Sequence, residues 1–200
     1  MSGWTRSGLK GTHGPLAIAL VLALATSPSR ADDGFDLELF APLPAQGRNI
    51  LGVPTNALLG HGQLAVGLFA HYQDDPMTLR DDDDRSIVLQ RLVDNRIIAE
   101  VSVALGLFSA FELGVVMPLV LSQSGDDLAA LGRPGDAVSG FAVGDLRLVP
   151  RVRLLGDGAG FGLQLLAPVA IPIGAADQYA SDGGVRVSPG LALDYATRRG

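Results

Sequence analysis

Two hundred residues suffice for one domain with a core of its own. Hydrophobic residues at 48% exclude a disordered chain, while 26 Gly, 12 Pro, 18% charged residues and a single lysine, Lys10, depart from the composition of a soluble helical protein. The absence of Cys excludes a disulfide framework, a thiolate metal site and an N-terminal lipid anchor on cysteine.

The chain opens with Arg6 and Lys10 in a flank free of acids, followed by an apolar run over residues 15–25. Pro28 then breaks the run, Ser29 and Ala31 supply small residues, and the first acids are Asp32 and Asp33. This order is that of a cleavable secretory signal, with cleavage expected after Ala31. The apolar run is about half of the roughly 20 residues a spanning helix needs. Removing residues 1–31 takes away Arg6, Lys10 and Arg30, so 15 basic residues fall to 12 against 21 acidic ones and the net charge moves from −6 to −9. An acidic exported chain lacks the basic face that phosphate contacts require, and no nucleic-acid partner is expected.

Residues 32–60 carry Pro42, Pro44, Gly47, Gly52 and Pro54 and show no period. They read as an irregular periplasmic lead-in, or as a segment tucked into a barrel mouth. After Gly60 apolar residues alternate with small or polar ones over residues 62–72, 92–105, 111–121, 142–155, 161–173 and 185–195. A period of two sustained over six segments predicts strands with two unlike faces. The connections run 19, 5, 20, 5 and 11 residues (73–91, 106–110, 122–141, 156–160 and 174–184). Long and short connections in alternation predict an up-and-down antiparallel meander, the pattern of a transmembrane β-barrel with long outer loops and tight periplasmic turns. Aromatics fall in two bands: Phe108, Phe111, Phe161 and Tyr195 at turn-side ends, Tyr72, Phe141 and Tyr179 at loop-side ends, with Phe69 further inside. Pro118, Pro150, Pro168, Pro172 and Pro189 lie within the predicted strands, where each needs a bulge or a rim position.

The stretches LGHGQLAVGLFAHY (59–72), VALGLFSAFELGVVMPLVL (103–121), GDLRLVPRVRLL (144–155) and GFGLQLLAPVAIPIG (160–174) resemble the N-terminal barrel of large OmpA-family outer-membrane proteins. The similarity runs over most of residues 35–197 and rests on strand patterns with few fixed residues. The resemblance implies an outer-membrane location, lipid and lipopolysaccharide as surroundings, and peptidoglycan as a partner through a following periplasmic domain that nothing in this sequence matches. Six strands fall below the eight of the smallest ordinary barrels. The expected organisation is therefore a signal peptide (1–31), the lead-in (32–60) and a partial, all-β barrel (61–200), the whole reading as a fragment.

Candidate chemistry is sparse. His71 with Ser102 or Asp94 has no spacing that supports a catalytic pair, and His71 reads as a polar lumen or rim residue. Asp81–Asp84 lack the spacing of a Ca²⁺ loop and read as a solvated turn, or one bridged by ions to lipopolysaccharide. Arg147, Arg151 and Arg153 share one face of a strand, with Arg186 two strands away. On a lipid face each arginine near the midplane costs about 2–4 kcal/mol, so all are expected to face a lumen. There they pair with Asp145, Glu100, Glu112 and Asp194 as a structural charge lattice, or line an anion-selecting pore; a narrow barrel favours the lattice. No cofactor, no metal and no enzymatic activity are expected. The leading reading is a structural or weakly pore-forming outer-membrane barrel; the rivals are an outer-membrane channel or transporter for small solutes and a soluble periplasmic β-sandwich that binds a ligand or partner.

Export is expected to leave a mature chain beginning at Asp32. N-terminal sequencing of the exported protein checks this, and retention of residues 1–31 contradicts it.

Overall fold

The computed structural model of the chain describes residues 36–37, 41–44, 53–127, 136–156 and 160–196. The expected signal peptide over 1–31 lies outside the described residues, as does its cleavage point. The alternating segments become strands. β1 (Leu64–Arg80), β2 (Val88–Leu107) and β3 (Phe111–Ser124) are unbroken, while β4 (Ala142–Val143) and β5 (Leu146–Leu155) share the fourth segment. The fifth divides into β6 (Gly160–Leu166) and β7 (Val169–Ile171), the sixth into β8 (Arg186–Val187) and β9 (Gly190–Ala196). A 3-10 turn at Ala176–Gln178 is the one helical element among the described residues.

All nine strands belong to a single antiparallel sheet with the order β1-β2-β3-β5-β6-β9; β4 pairs β3, and β7 bridges β5 and β8. Sequence neighbours are therefore space neighbours, as a meander requires. The sheet curves into an open half-barrel. Among the described residues β1 pairs with β2 alone and β9 with β6 alone. The second layer that a sandwich needs is not found among them.

The two faces are inverted relative to a water-soluble sheet. On β1, Leu64, Val66, Leu68 and Tyr72 are exposed, whereas Phe69, His71 and Gln73 are half-buried. β2 exposes Ile97, Val101, Val103 and Leu105 and buries Arg96, Glu100 and Ser102. β9 continues the exposed face with Leu191, Leu193 and Tyr195. Register fixes this inversion for every strand, because a slip by one residue would turn each set to the opposite side.

What apolar core there is among the described residues lies on the concave side in small clusters, three of them including a lead-in leucine. Leu37 packs with Val93 and Val138, Leu43 with Val116 and Val149, and Leu59 with Ala104. These leucines are 4%, 7% and 5% exposed, and fully burying each contributes about 1.5–3 kcal/mol. The described residues of the lead-in thus lie on the inner face between the end near Tyr179, whose carbonyl accepts from the Leu37 amide, and the end near Gly106. Two strand glycines make room for it. A side chain at Gly106 would run into the carbonyls of Leu59 and Gly60, and one at Gly114 into the ring of Pro44.

The prolines are accommodated in concert. Pro168 and Pro189 fall in the interruptions between β6 and β7 and between β8 and β9, and Pro172 falls just past β7. Pro150, inside β5, faces the β6–β7 interruption and accepts from the Ala167 amide at 3.2 Å, while Pro168 accepts from Ser188 at 2.9 Å. Pro118, inside β3, faces the β4–β5 interruption and accepts from Gly144 at 2.9 Å. The missing N–H of Pro118 and that of Pro150 thus each meet a break on the neighbouring strand.

Three expectations are corrected. The first long connection, predicted over 73–91, is mostly strand: β1 runs to Arg80 and β2 begins at Val88, leaving a turn over 81–87. Periodicity missed this extension because bulges near Met77 and Leu79 break the alternation. Tyr72 consequently lies within β1 and not at its end. The second connection shrinks to residues 108–110, where Phe108 and Ser109 take left-handed backbone (φ 54° and 56°), the conformation of tight hairpin turns. Tyr179 does not join the outer aromatic band; it packs against the cluster of Leu37, Val93 and Val138.

Candidate functional site

The concave face gathers the ionisable residues of β2, β3 and β5, because alternation that turns leucine and valine outward turns their neighbours inward. Arg151 on β5 stands directly opposite Glu112 on β3. The two form an ion pair at 2.8 Å with neither side chain exposed. Arg147, two turns of the pleat away, reaches across β3 to pair with Glu100 on β2. Gln164 on β6 accepts from Arg151 Nη2 at 3.0 Å and completes the group.

Both members of the central pair also hold the lead-in. Arg151 Nη2 donates to the Thr55 carbonyl at 2.8 Å, and Glu112 Oε2 accepts from the Leu59 amide at 2.9 Å. Asp194 on β9 accepts from the Asn56 amide at 2.7 Å, and Asn56 Nδ2 donates to the Leu155 carbonyl at 3.0 Å. At the opposite end Asp182 accepts from the Asp36 amide at 2.9 Å, while Arg186 pairs with Asp36 at 3.5 Å and with Asp182. Asp145 accepts from the Gly174 amide at 3.1 Å and draws the last loop inward. Arg147, Arg151, Arg186, Asp145, Glu100, Glu112 and Asp194 thus all bind across the inner face. Arg153 shares that face, but its Nε has no hydrogen-bond partner among the described residues.

The sequence reading missed Arg96, which is 1% exposed. Its guanidinium donates to Gln123 Oε1 at 2.8 and 3.0 Å, to the Tyr179 carbonyl at 3.1 Å and to the Gln178 carbonyl at 2.5 Å. It clamps the loop over 174–184 against the inner face, so this loop folds into the half-barrel's opening. The signal was present: Arg96 falls on the same parity as Glu100 in a segment already recognised as a strand. The lead-in carbonyls and amides had no signal at all, since backbone groups are invisible in composition.

Between the lead-in and the wall lies a cavity of about 160 Å³, lined by Asp36, Ala41, Arg147, Pro168, Ala170, Arg186 and Ser188. Its two arginines are already engaged with Glu100, Asp36 and Asp182.

His71, Ser102 and Asp94 are not brought together. Asp94 and Ser102 stand eight residues apart on β2, roughly 26 Å at strand rise. Ser102 lies opposite Gly67 and Asp94 is held by Arg91 at 3.6 Å and Asn95 at 2.9 Å. The acids at 81–84 serve their own turn: Asp81 Oδ1 accepts from the amides of Asp83 and Asp84 at 2.9 and 3.0 Å. Hydrogen bonds from the Ser86 hydroxyl and amide hold the Asp84 carboxyl below its ordinary range. No group of three or more potential metal ligands occurs among the described residues.

Comparison with family models, with curated proteins and with solved structures finds no match for this chain.

Glu112→Ala is expected to destabilise the fold by about 3–5 kcal/mol, because it strands a buried guanidinium and an unpaired Leu59 amide. The double variant Glu112→Leu/Arg151→Met should lose much less than the two single changes together. Urea unfolding midpoints check both, and a Glu112→Ala chain as stable as the parent contradicts the lattice.

Proposed function

We propose that the chain forms wall of an outer-membrane β-barrel, structural or weakly pore-forming, with its convex face in lipid and its ion pairs turned inward. The carrying observation is the inversion of polarity: Leu64, Val66, Leu68, Leu191 and Leu193 are 64–73% exposed, while Arg96, Glu100, Glu112 and Arg151 are 0–1% exposed. An apolar face continuous over a whole sheet marks contact with a partner or a membrane. In water it would promote association; in hydrocarbon it is the favoured surface.

The dimensions support the same reading. Exposed apolar residues run from Leu64 to Tyr72 on β1 and from Leu105 to Ile97 on β2. That is about 26 Å along the strand and about 20 Å along the axis of a barrel tilted about 40°, comparable with the roughly 25 Å apolar band of such barrels. Phe161 and Tyr195 meet across β6 and β9 with ring centroids 4.9 Å apart at the turn-side end, and Phe108, 80% exposed, lies at the same end. Rings there suit an interface girdle. Above the band, the ends of β1 and β2 carry Asp74, Asp75, Arg91 and Asp94, with Arg91 and Asp75 paired at 2.8 Å, as befits a hairpin projecting into water. Among the described residues no helix is long and apolar enough to cross a membrane.

The resemblance of four strand stretches to OmpA-family barrels accords with this location and with lipid and lipopolysaccharide as its surroundings. Peptidoglycan binding would belong to a further domain. A solute channel is the second reading. The lead-in across the inner face and the inward loop over 174–184 favour a closed or weakly conducting wall over an open one.

Single cysteines at Leu146, Leu148, Val152 and Leu154, each carrying a fluorophore in lipid vesicles, should be quenched by nitroxides on the acyl chains. Cysteines at Val149 and Arg153 should be spared. Equal quenching at both parities, or none at either, contradicts a membrane strand.

A further inference from the structure

Three arginines share the inner face of β5, and carboxylates answer two of them: Glu100 meets Arg147 and Glu112 meets Arg151. Arg153, nearest the turn-side end, forms no ion pair among the described residues, and its Nε is buried there without an acceptor. We propose that Arg153 and Gln164 bind a small monovalent anion, of the chloride or formate class, at the turn-side end of the inner face. The site belongs to the inner wall and does not depend on what lies against the outer one.

Register brings the two residues together. Arg153 stands directly opposite Gln164 across β5 and β6, where side chains on one face lie about 4.5–5.5 Å apart at Cβ. The Gln164 amide is oriented by its other neighbour. Its Oε1 accepts from Arg151 Nε at 3.3 Å and from Arg151 Nη2 at 3.0 Å. Nε2 is thereby left as a donor, and it finds no acceptor among the described residues although Gln164 is 0% exposed. Two buried donors, one on a permanently charged guanidinium, thus sit at one level of the wall, and native structures rarely leave such donors unmet. Both strands are interior to the sheet, with β6 between β5 and β9. The two nitrogens are already shut off from solvent within this chain, so whatever meets them is small.

Charge selects the occupant. Glu112 is taken by Arg151 and the Leu59 amide, and Asp194 accepts from the Asn56 amide. A water molecule would meet the donors of Arg153 and Gln164 but not the charge of the guanidinium. A small anion meets both, through charge-assisted hydrogen bonds from Nε and Nε2. Asn56 suits the same occupant. It lies over Gly162, the inner position next to Gln164, where an added Cβ would fall 2.5 Å from the Asn56 Cβ. Its buried Oδ1 has no donor among the described residues, and one water carried by the anion supplies it.

Chloride is the probe. The mature protein is folded into phospholipid vesicles, or in buffer if it reaches its full β-signal there, and the linewidth of the chloride NMR signal is followed. The parent should broaden the line, and sodium formate at equal ionic strength should narrow it again. Arg153→Met should reduce the excess width about fivefold or more, while Arg153→Lys keeps part of it. Gln164→Glu supplies a carboxylate of the chain's own to Arg151 and Arg153; it should abolish the excess and keep the β-signal, and it carries the test if Arg153→Met does not fold. No excess width with the parent means that water alone meets these donors and overturns the proposal. Equal width in the parent and in either folded variant, Arg153→Met or Gln164→Glu, places the anion elsewhere and overturns it too.

Discussion

Arg151 and Glu112 meet across β5 and β3 with no solvent on either side chain, and this pair imposes a direction on the whole sheet. A charge pair removed from water survives only where its remaining donors and acceptors are met. Here they are met by Gln164 and by the backbone of Thr55 and Leu59. Because side chains alternate, fixing Arg151 inward fixes Val152 and Leu154 outward. Register then carries the same choice through β3 to β2 and β1, and through β6 to β9. The apolar convex face follows from a polar concave one.

The described residues of the lead-in fill part of that concave face. Its leucines at 37, 43 and 59 give each level of the inner surface an apolar anchor, while its amides and carbonyls satisfy ionised side chains that open lumens leave to water. The cost is borne by the wall, which carries glycine at 106 and 114 where the crossing chain comes closest. The loop over 174–184, held by Arg96 and Asp145, closes the opposite end in the same manner. On the proposed reading, conduction through such a wall requires the lead-in to move, and the side chains that grip it set how readily it does.

Much of this was legible in the residues. The six alternating segments became strands with the expected faces; Arg147 lies against Glu100 and Arg151 against Glu112, whereas no such pair is found for Arg153 among the described residues. Which partner each would take was not readable, because pairing depends on stagger between strands and alternation says nothing of stagger. The extension of β1 and β2 escaped notice since bulges near Met77 and Leu79 put its apolar residues out of alternation. The proline breaks read as an objection in one dimension and were answered in three, because the interruptions beside β3 and β5 face Pro118 and Pro150 on the adjacent strand. The lead-in was unreadable for a different reason: it carries no period, and its bonds run from backbone to residues about 50 to 150 positions away.

The inverted polarity is tested most directly by asking which solvent folds the chain. The mature protein is diluted from urea into buffer with and without fluid phospholipid vesicles, then centrifuged on a density gradient while its far-ultraviolet circular dichroism is recorded. A sheet with leucine and valine on its outer face and buried ion pairs within should acquire its full β-signal only with lipid and should float with the vesicles. A chain that reaches the same β-signal in lipid-free buffer and sediments as a folded, monodisperse monomer would contradict it.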